Sequence, residues 1–198
     1  MNEPFFSPLV ERAMRVAAQY HQGQTRKASD IPYLTHPASV AAILLKAGFQ
    51  SEDILAAALL HDVVEDTDLS LEDLANEFPE PVVLFVAALT EEKQTGDGKK
   101  IPWKERKLHH IEQIAQAPLQ ARAIVLADKL HNLGTMVFDL EAGDELWSRF
   151  GARPEEVCWY HRTMIESATQ NDEPLFPLST ACINLLDVLE SHVEKGSF

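Results

Sequence analysis

Residues 51–67 read Ser51-Glu52-Asp53-Ile54-Leu55-Ala56-Ala57-Ala58-Leu59-Leu60-His61-Asp62-Val63-Val64-Glu65-Asp66-Thr67. Ser51 is a helix-capping residue, and the run behind it has none of the two-residue alternation of a strand. It predicts a helix reaching about Thr67, apolar enough to be buried. Into that helix fall His61, Asp62, Glu65 and Asp66, four ionisable groups within six residues. Burying such groups costs several kcal/mol each unless they are paired or bound to a metal. In a continuous helix His61 and Glu65, four apart, share one face, with Asp62 and Asp66 one step round.

Outward from this stretch the reading stays helical. Val10, Met14, Ala17 and Ala18 have helical spacing in a first segment that Gly23 ends. Pro37 fits the first turn of a second helix, with Val40, Ala41, Ile43 and Leu44 inward and Gly48 as its stop. Ser70 with Asp73 forms a capping-box pattern for a fourth, and Pro81 opens a fifth. Residues 91–101, with Gly96 and Gly98, read as a loop. Helices follow over Pro102–Gln116, Pro118–Leu140, Pro154–Thr169 and Pro174–Glu194, each entered through a proline. The expectation is a compact all-α fold of eight to ten helices, with residues 1–198 forming one domain.

Composition narrows the function. Seventeen basic residues against 31 acidic ones leave a net charge of -14, which argues against general binding to DNA, RNA or an anionic membrane. No apolar run approaches the roughly 18 residues that span a bilayer. Glu3 stands where a signal peptide would be basic. Cys158 and Cys182 are the only two cysteines and lack metal-site spacing, which suits a reducing, cytoplasmic compartment. An anionic ligand would then need a local basic cluster or a metal. The segment Lys93–Lys107 offers one, with Lys93, Lys99, Lys100, Lys104, Arg106 and Lys107 opposed only by Asp97 and Glu105.

Polar residues interrupt an apolar helix a second time at Ala123-Ile124-Val125-Leu126-Ala127-Asp128-Lys129-Leu130-His131-Asn132-Leu133, where Asp128 and Asn132 are four apart. A third element is His36, restrained by Pro32 and Pro37. His36, His61, Asp62 and Asp128 together make a set of two imidazoles and two carboxylates. Such a set suits Mn²⁺, Fe²⁺ or Zn²⁺, and ligands so far apart in sequence leave positions open for water and substrate. A centre of this type activates water against a phosphate, with Glu65 placed to orient or deprotonate it.

These residues resemble the HD superfamily of metal-dependent phosphohydrolases. More narrowly, they are similar to the hydrolase domain of the RelA/SpoT alarmone enzymes and to the stand-alone small alarmone hydrolases. The matching pieces are Arg26-Lys27, Pro32-Tyr33 through His36-Pro37, His61 through Thr67, Thr90 through Lys93, Glu105-Arg106-Lys107, and Ala127-Asp128-Lys129 through Asn132. They occur in family order over about residues 20–135, and the likeness is faint beyond 140. The resemblance implies an all-helical fold that hydrolyses the 3′-pyrophosphate of ppGpp or pppGpp with Mn²⁺. It maps His36, His61, Asp62 and Asp128 onto the metal ligands, Glu65 and Asp66 onto the acidic pair beside the attacking water, and Asn132 onto a residue next to the metal. Arg26 and Lys27 correspond to nucleotide contacts. Lys93, Arg106 and Lys107 are expected at the phosphates, and Tyr160 in the pocket by a weaker likeness. The chain is too short to hold the synthetase and regulatory regions of the long enzymes.

Departures from the family pattern sit on the substrate side: Ala28-Ser29-Asp30-Ile31 before Pro32-Tyr33, Glu91-Glu92 before Lys93, and Gly134 after Asn132. NADPH 2′-phosphate, a 5′-nucleotide or a cyclic nucleotide therefore stays open as the substrate. A non-enzymatic nucleotide-binding or scaffold protein is the alternative of another class, and the full set of four presumed ligands argues against it. The oligomeric state is left open.

Overall fold

The computed structural model describes residues 5–27, 29–143 and 145–194. Among them are ten α-helices and two short 3₁₀ turns. Extended pairing is limited to isolated bridges at Thr25–Pro32 and Gln94–Lys100. The all-α expectation holds. By internal contacts the chain divides into two units, Met1–Ile101 and Pro102–Phe198, which are described separately.

In the first unit α1 spans Pro8–Tyr20, α2 Thr35–Lys46, α3 Glu52–Leu60, α4 Val63–Asp66, α5 Leu71–Glu77 and α6 Glu80–Leu89. Helix α3 is its centre. Every residue from Ile54 to Leu60 is buried, because α1, α2 and α6 all pack on it. A helix apolar on all sides can only be stable inside such a ring, where each buried Ile or Leu contributes about 1.5–3 kcal/mol. Ser51 is the N-cap residue of α3 but makes no side-chain cap bond, and α6 begins at Glu80, one residue before Pro81; other start and stop signals act as the sequence predicts. Ser7 accepts from the Val10 N–H at the head of α1. Ser70 and Asp73 form the reciprocal capping box of α5. Gly48, with φ +92°, turns the chain after α2 in a conformation that side chains with a Cβ resist.

One sequence expectation is corrected. The helix from Ser51 does not run unbroken to Thr67. It ends at Leu60, passes through His61 and Asp62, and resumes as the single turn α4. Both linking residues keep right-handed dihedrals, so the break is a lapse in hydrogen bonding rather than a sharp bend. His61 and Glu65 are therefore not neighbours on one continuous helix.

In the second unit α7 spans Trp103–Ala115, α8 Leu119–Glu141, α9 Pro154–Thr169 and α10 Phe176–Glu194. Helix α8 is the long member, buried continuously from Ala121 to Ala127 and packed on α9 and α10. Arg122, inside this packing, donates to the Ala168 carbonyl at 3.0 Å and to the Ala117 carbonyl at 3.2 Å, and pairs with Asp172. Arg162 ties α9 to α10 through Glu190 at 2.7 Å and Asp187 at 2.8 Å. Burial pushes the Cys158 thiol up to about 11 and the Cys182 thiol up to about 12, so both stay protonated and unreactive at neutral pH. No helix among the described residues is long and apolar enough to cross a membrane.

Candidate active site

His36 sits in the first turn of α2 and is buried. The turn leading into it is knotted by backbone bonds: Tyr33 N–H to the Gln24 carbonyl at 2.9 Å, Thr35 N–H to the Pro32 carbonyl at 3.1 Å, and His36 N–H to the Tyr33 carbonyl at 2.9 Å. His61 and Asp62 occupy the break between α3 and α4. There the backbone leaves the helix and can aim two successive side chains at one point. The rings of His36 and His61 meet edge-on with centroids 5.1 Å apart, and their ligand nitrogens lie within 4.8 Å of each other.

The protonation of His61 follows from its partner. Its Nδ1 is 2.7 Å from the Ala58 carbonyl oxygen, which can only accept, so Nδ1 carries a proton, and in the neutral ring Nε2 presents a lone pair. That nitrogen faces Asp62 Oδ2 at 3.0 Å, and His36 Nε2 faces the same oxygen at 3.5 Å. In that neutral form the lone pair and the carboxylate oxygen repel at such a distance unless a proton or a metal ion joins them. A backbone acceptor on the far nitrogen of an imidazole is also how metal-binding histidines are held. The donor set therefore fits a divalent ion, and His36, His61 and Asp62 are the residues of the first unit that could hold it.

Beside this group lies the acidic pair. Glu65, in α4, has its carboxyl raised above the usual range. Burial is the main cause, Lys93 opposes it, and Asp62, Asp66 and Glu91 add to it. Lys93 reaches Asp66 at 2.7 Å, the Glu65 carboxylate at 3.2 Å and the Glu65 carbonyl at 3.1 Å. Burial works to lower the Lys93 ammonium, but Asp66 and Glu65 together leave it raised. A buried carboxyl with a raised pKa, steadied by one ammonium, is a stronger base than an exposed one and is suited to taking a proton from water. Arg26 stands over the Tyr33 ring, 5.6 Å from its centroid, and Lys27 is exposed.

The second unit carries the remaining expected residues. Asp128 lies on α8, partly buried. Its Oδ2 accepts from Lys129 at 2.7 Å and its Oδ1 from the Asn132 amide at 2.5 Å. Tyr160 is buried on α9 against Trp103, with ring centroids 6.2 Å apart. The ammonium of Lys107 is 4.6 Å from the Tyr160 ring and that of Lys129 is 5.4 Å from it. Arg106 is partly exposed on α7. His161, next in sequence, is buried. Desolvation pulls its imidazole down to about 3, Lys129 and Lys107 adding to the effect and Asp128 opposing it.

Sequence reading missed several participants. Tyr33 was noted only as part of a motif, yet its hydroxyl donates to Asp62 Oδ2 at 2.6 Å. Gln24 was not singled out, although its amide nitrogen reaches the Asp66 carbonyl at 3.1 Å. Glu91, buried and with its backbone N–H 3.4 Å from Glu65 Oε2, was read as loop and as half of the acidic pair before Lys93, not as a neighbour of Glu65. Lys129 was quoted only as part of its stretch, and it pairs with Asp128 at 2.7 Å. A Gln three residues after a His, ahead of a turn rich in Pro and Tyr, is a weak signal. Nothing in it points to a carbonyl 42 residues away.

Comparison with known proteins places the chain. A family model described as HD domain matches residues 13–147. A Drosophila melanogaster relative named guanosine-3′,5′-bis(diphosphate) 3′-pyrophosphohydrolase MESH1 is 39% identical over 132 residues, 66% of this chain and 70% of the relative. Its Homo sapiens counterpart is 41% identical over 126 residues, 63% of this chain and 67% of the relative. A Streptomyces coelicolor GTP pyrophosphokinase is 41% identical over 128 residues, and the match spans only 14% of that longer protein. Among solved structures, one titled as a metazoan ortholog of SpoT that hydrolyzes ppGpp aligns with a TM-score of 0.78 at 28% identity. It covers 93% of this chain and 97% of that one. A Listeria monocytogenes structure aligns with a TM-score of 0.68 at 33% identity, over 81% and 99% of the two chains. The chain belongs to the HD domain family.

Proposed function

We propose that this protein is a divalent-metal-dependent phosphohydrolase that removes pyrophosphate from the 3′ position of ppGpp or pppGpp. The observation that carries the reading is the convergence of His36, His61 and Asp62, with the His61 lone pair turned toward a carboxylate oxygen. The MESH1 relatives, at about 40% identity over two thirds of their length, support the choice of substrate. In this reading residues 1–198 work as one domain, and Asp128 of the second unit is the fourth ligand. The metal is Mn²⁺, with Fe²⁺ and Zn²⁺ as substitutes, and the protein acts in the cytoplasm. When bound, such an ion supplies Lewis acidity to a water and to a phosphoryl oxygen.

The chain's own residues do the rest. Glu65 accepts the proton of the attacking water, aided by the burial that raises its carboxyl. Lys93 bridges Glu65 and Asp66 and holds the two acids together, so it meets a phosphate only by sharing its charge with that pair. Asn132 steadies Asp128. Arg26 and Lys27 contact the nucleotide, Arg26 by stacking on the base. Arg106, Lys107 and Tyr160 meet the phosphates, whose growing negative charge fixed cations offset. The test is turnover of ppGpp with added Mn²⁺, with no addition and with a chelator. Pyrophosphate release that depends on Mn²⁺ is the expected result. Orthophosphate release from a nucleotide panel, with ppGpp untouched, would overturn the choice of substrate.

A further inference from the structure

Helix α4 has only four residues, Val63–Asp66, well below the length at which a helix sustains itself in water. Asp62 nevertheless immediately precedes it, and Glu65 and Asp66 lie within it, so its placement sets the spacing between a metal ligand and the acidic pair. Besides the bonds from Lys93 and Glu91 to Glu65 and Asp66, two hydrogen bonds reach it from the segment before α2, one at each end. Tyr33 Oη donates to Asp62 Oδ2 at 2.6 Å. Gln24 Nε2 donates at 3.1 Å to the Asp66 carbonyl, one of the oxygens a helix end leaves without an internal partner.

Both donors come from the segment between α1 and α2, and they are joined to each other. The Tyr33 N–H donates to the Gln24 carbonyl at 2.9 Å. The Gln24 amide has one sensible orientation. The Asp66 carbonyl only accepts, so the NH₂ group faces it and Oε1 turns to His21 Nδ1, 2.8 Å away. Because Oε1 also only accepts, His21 carries its proton on Nδ1. His21 is buried at the end of α1, and its ring lies 4.7 Å from that of Tyr33. His21, Gln24 and Tyr33 thus brace one another before they reach α4.

We infer that Gln24 and Tyr33, backed by His21, form a positioning strap that grips α4 at both ends and sets the separation between Asp62 and the Glu65–Asp66 pair. Tyr33 acts through the Asp62 carboxylate, and Gln24 acts through the backbone carrying the acids. The inference rests on the proposed function, since it treats Asp62 as a metal ligand and Glu65 as the proton acceptor.

A hold at two points has separable consequences. Tyr33→Phe keeps the ring against His21 and removes only the hydroxyl. Its Mn²⁺ dissociation constant should rise about 10- to 100-fold, read by the spin-resonance signal of free Mn²⁺ in a titration, while Tm and KM stay at the values of the unmodified protein. Gln24→Met keeps the length and removes the amide. Mn²⁺ affinity should be unchanged and kcat at saturating metal should fall by about 10- to 10²-fold with KM unmoved, as expected when a group is displaced from reacting distance. Unaltered Mn²⁺ affinity in Tyr33→Phe, with or without a lower Tm, overturns the strap at Asp62. Full kcat in Gln24→Met overturns it at Asp66. Absence of Mn²⁺ binding by the unmodified protein would bring down the proposed function and the strap together, whereas tight binding by both the unmodified protein and Tyr33→Phe removes the strap alone.

Discussion

The two units treat their central acids in opposite ways. In the first, Asp62 Oδ2 receives one hydroxyl, from Tyr33, and is then faced by the Nε2 atoms of His36 and His61 at 3.5 and 3.0 Å, with the His61 proton committed to the other side of the ring. In the second, each oxygen of Asp128 meets a donor, Lys129 on one and Asn132 on the other. Nitrogens and oxygens gathered on one point are an arrangement that suits a cation, whereas Asp128 has an ammonium of its own unit beside it.

The sharpest way to break this contrast is to remove each acid in turn. Asp62→Ala should lose both bound metal and turnover, measured by metal analysis of protein purified without chelator and by pyrophosphate release. Asp128→Ala should do the same if the second unit supplies a ligand. Retention of metal there, with loss only in Asp62→Ala, would confine the centre to the first unit. A smaller effect belongs to Glu65. Glu65→Gln should keep the metal and lower the rate by about 10²- to 10⁴-fold, and an unchanged rate would remove Glu65 from the proton transfer.

The smallest effect tests the second unit by stability rather than activity. His161 is buried as the neutral imidazole, with its pKa lowered to about 3. The unfolded chain takes up a proton near its ordinary value of about 6.5, so the folded state loses stability as pH falls from there toward 3. From pH 7 to pH 5 the loss from this one group is roughly 2 kcal/mol by that linkage. Urea unfolding at the two pH values should show it, and His161→Phe should flatten the slope. An equal slope in the variant would place the acid sensitivity elsewhere.

Much of the fold is readable along the chain because its signals are local. Proline at N1 or N2, or as the N-cap, marks the heads of α1, α6, α7, α8 and α9. The Ser70–Asp73 box is visible as a three-residue spacing. The break at His61–Asp62 is not readable. The apolar run continues through it and both residues keep right-handed dihedrals, so neither glycine nor proline announces it. Lys93 was legible as a basic residue in a basic loop. That its charge lies on Glu65 and Asp66 depends on where residues 27 to 28 positions apart in sequence come to rest.

By itself the chain's chemistry determined the helical class, the borders of most helices and the identities of the groups able to hold a metal. Residue type, spacing and capping act over a few bonds and survive without knowledge of the fold. Only the tertiary structure decided that a hydroxyl from Tyr33 and an amide from Gln24 would pin a single turn of helix, that His61 would spend its proton on Ala58, and that Lys93 would sit on an acid pair. Apart from the local bond to Ala58, these depend on distances of about 3 Å between atoms remote in sequence, and such a hydrogen bond exists only where packing of the whole unit brings the atoms to that range.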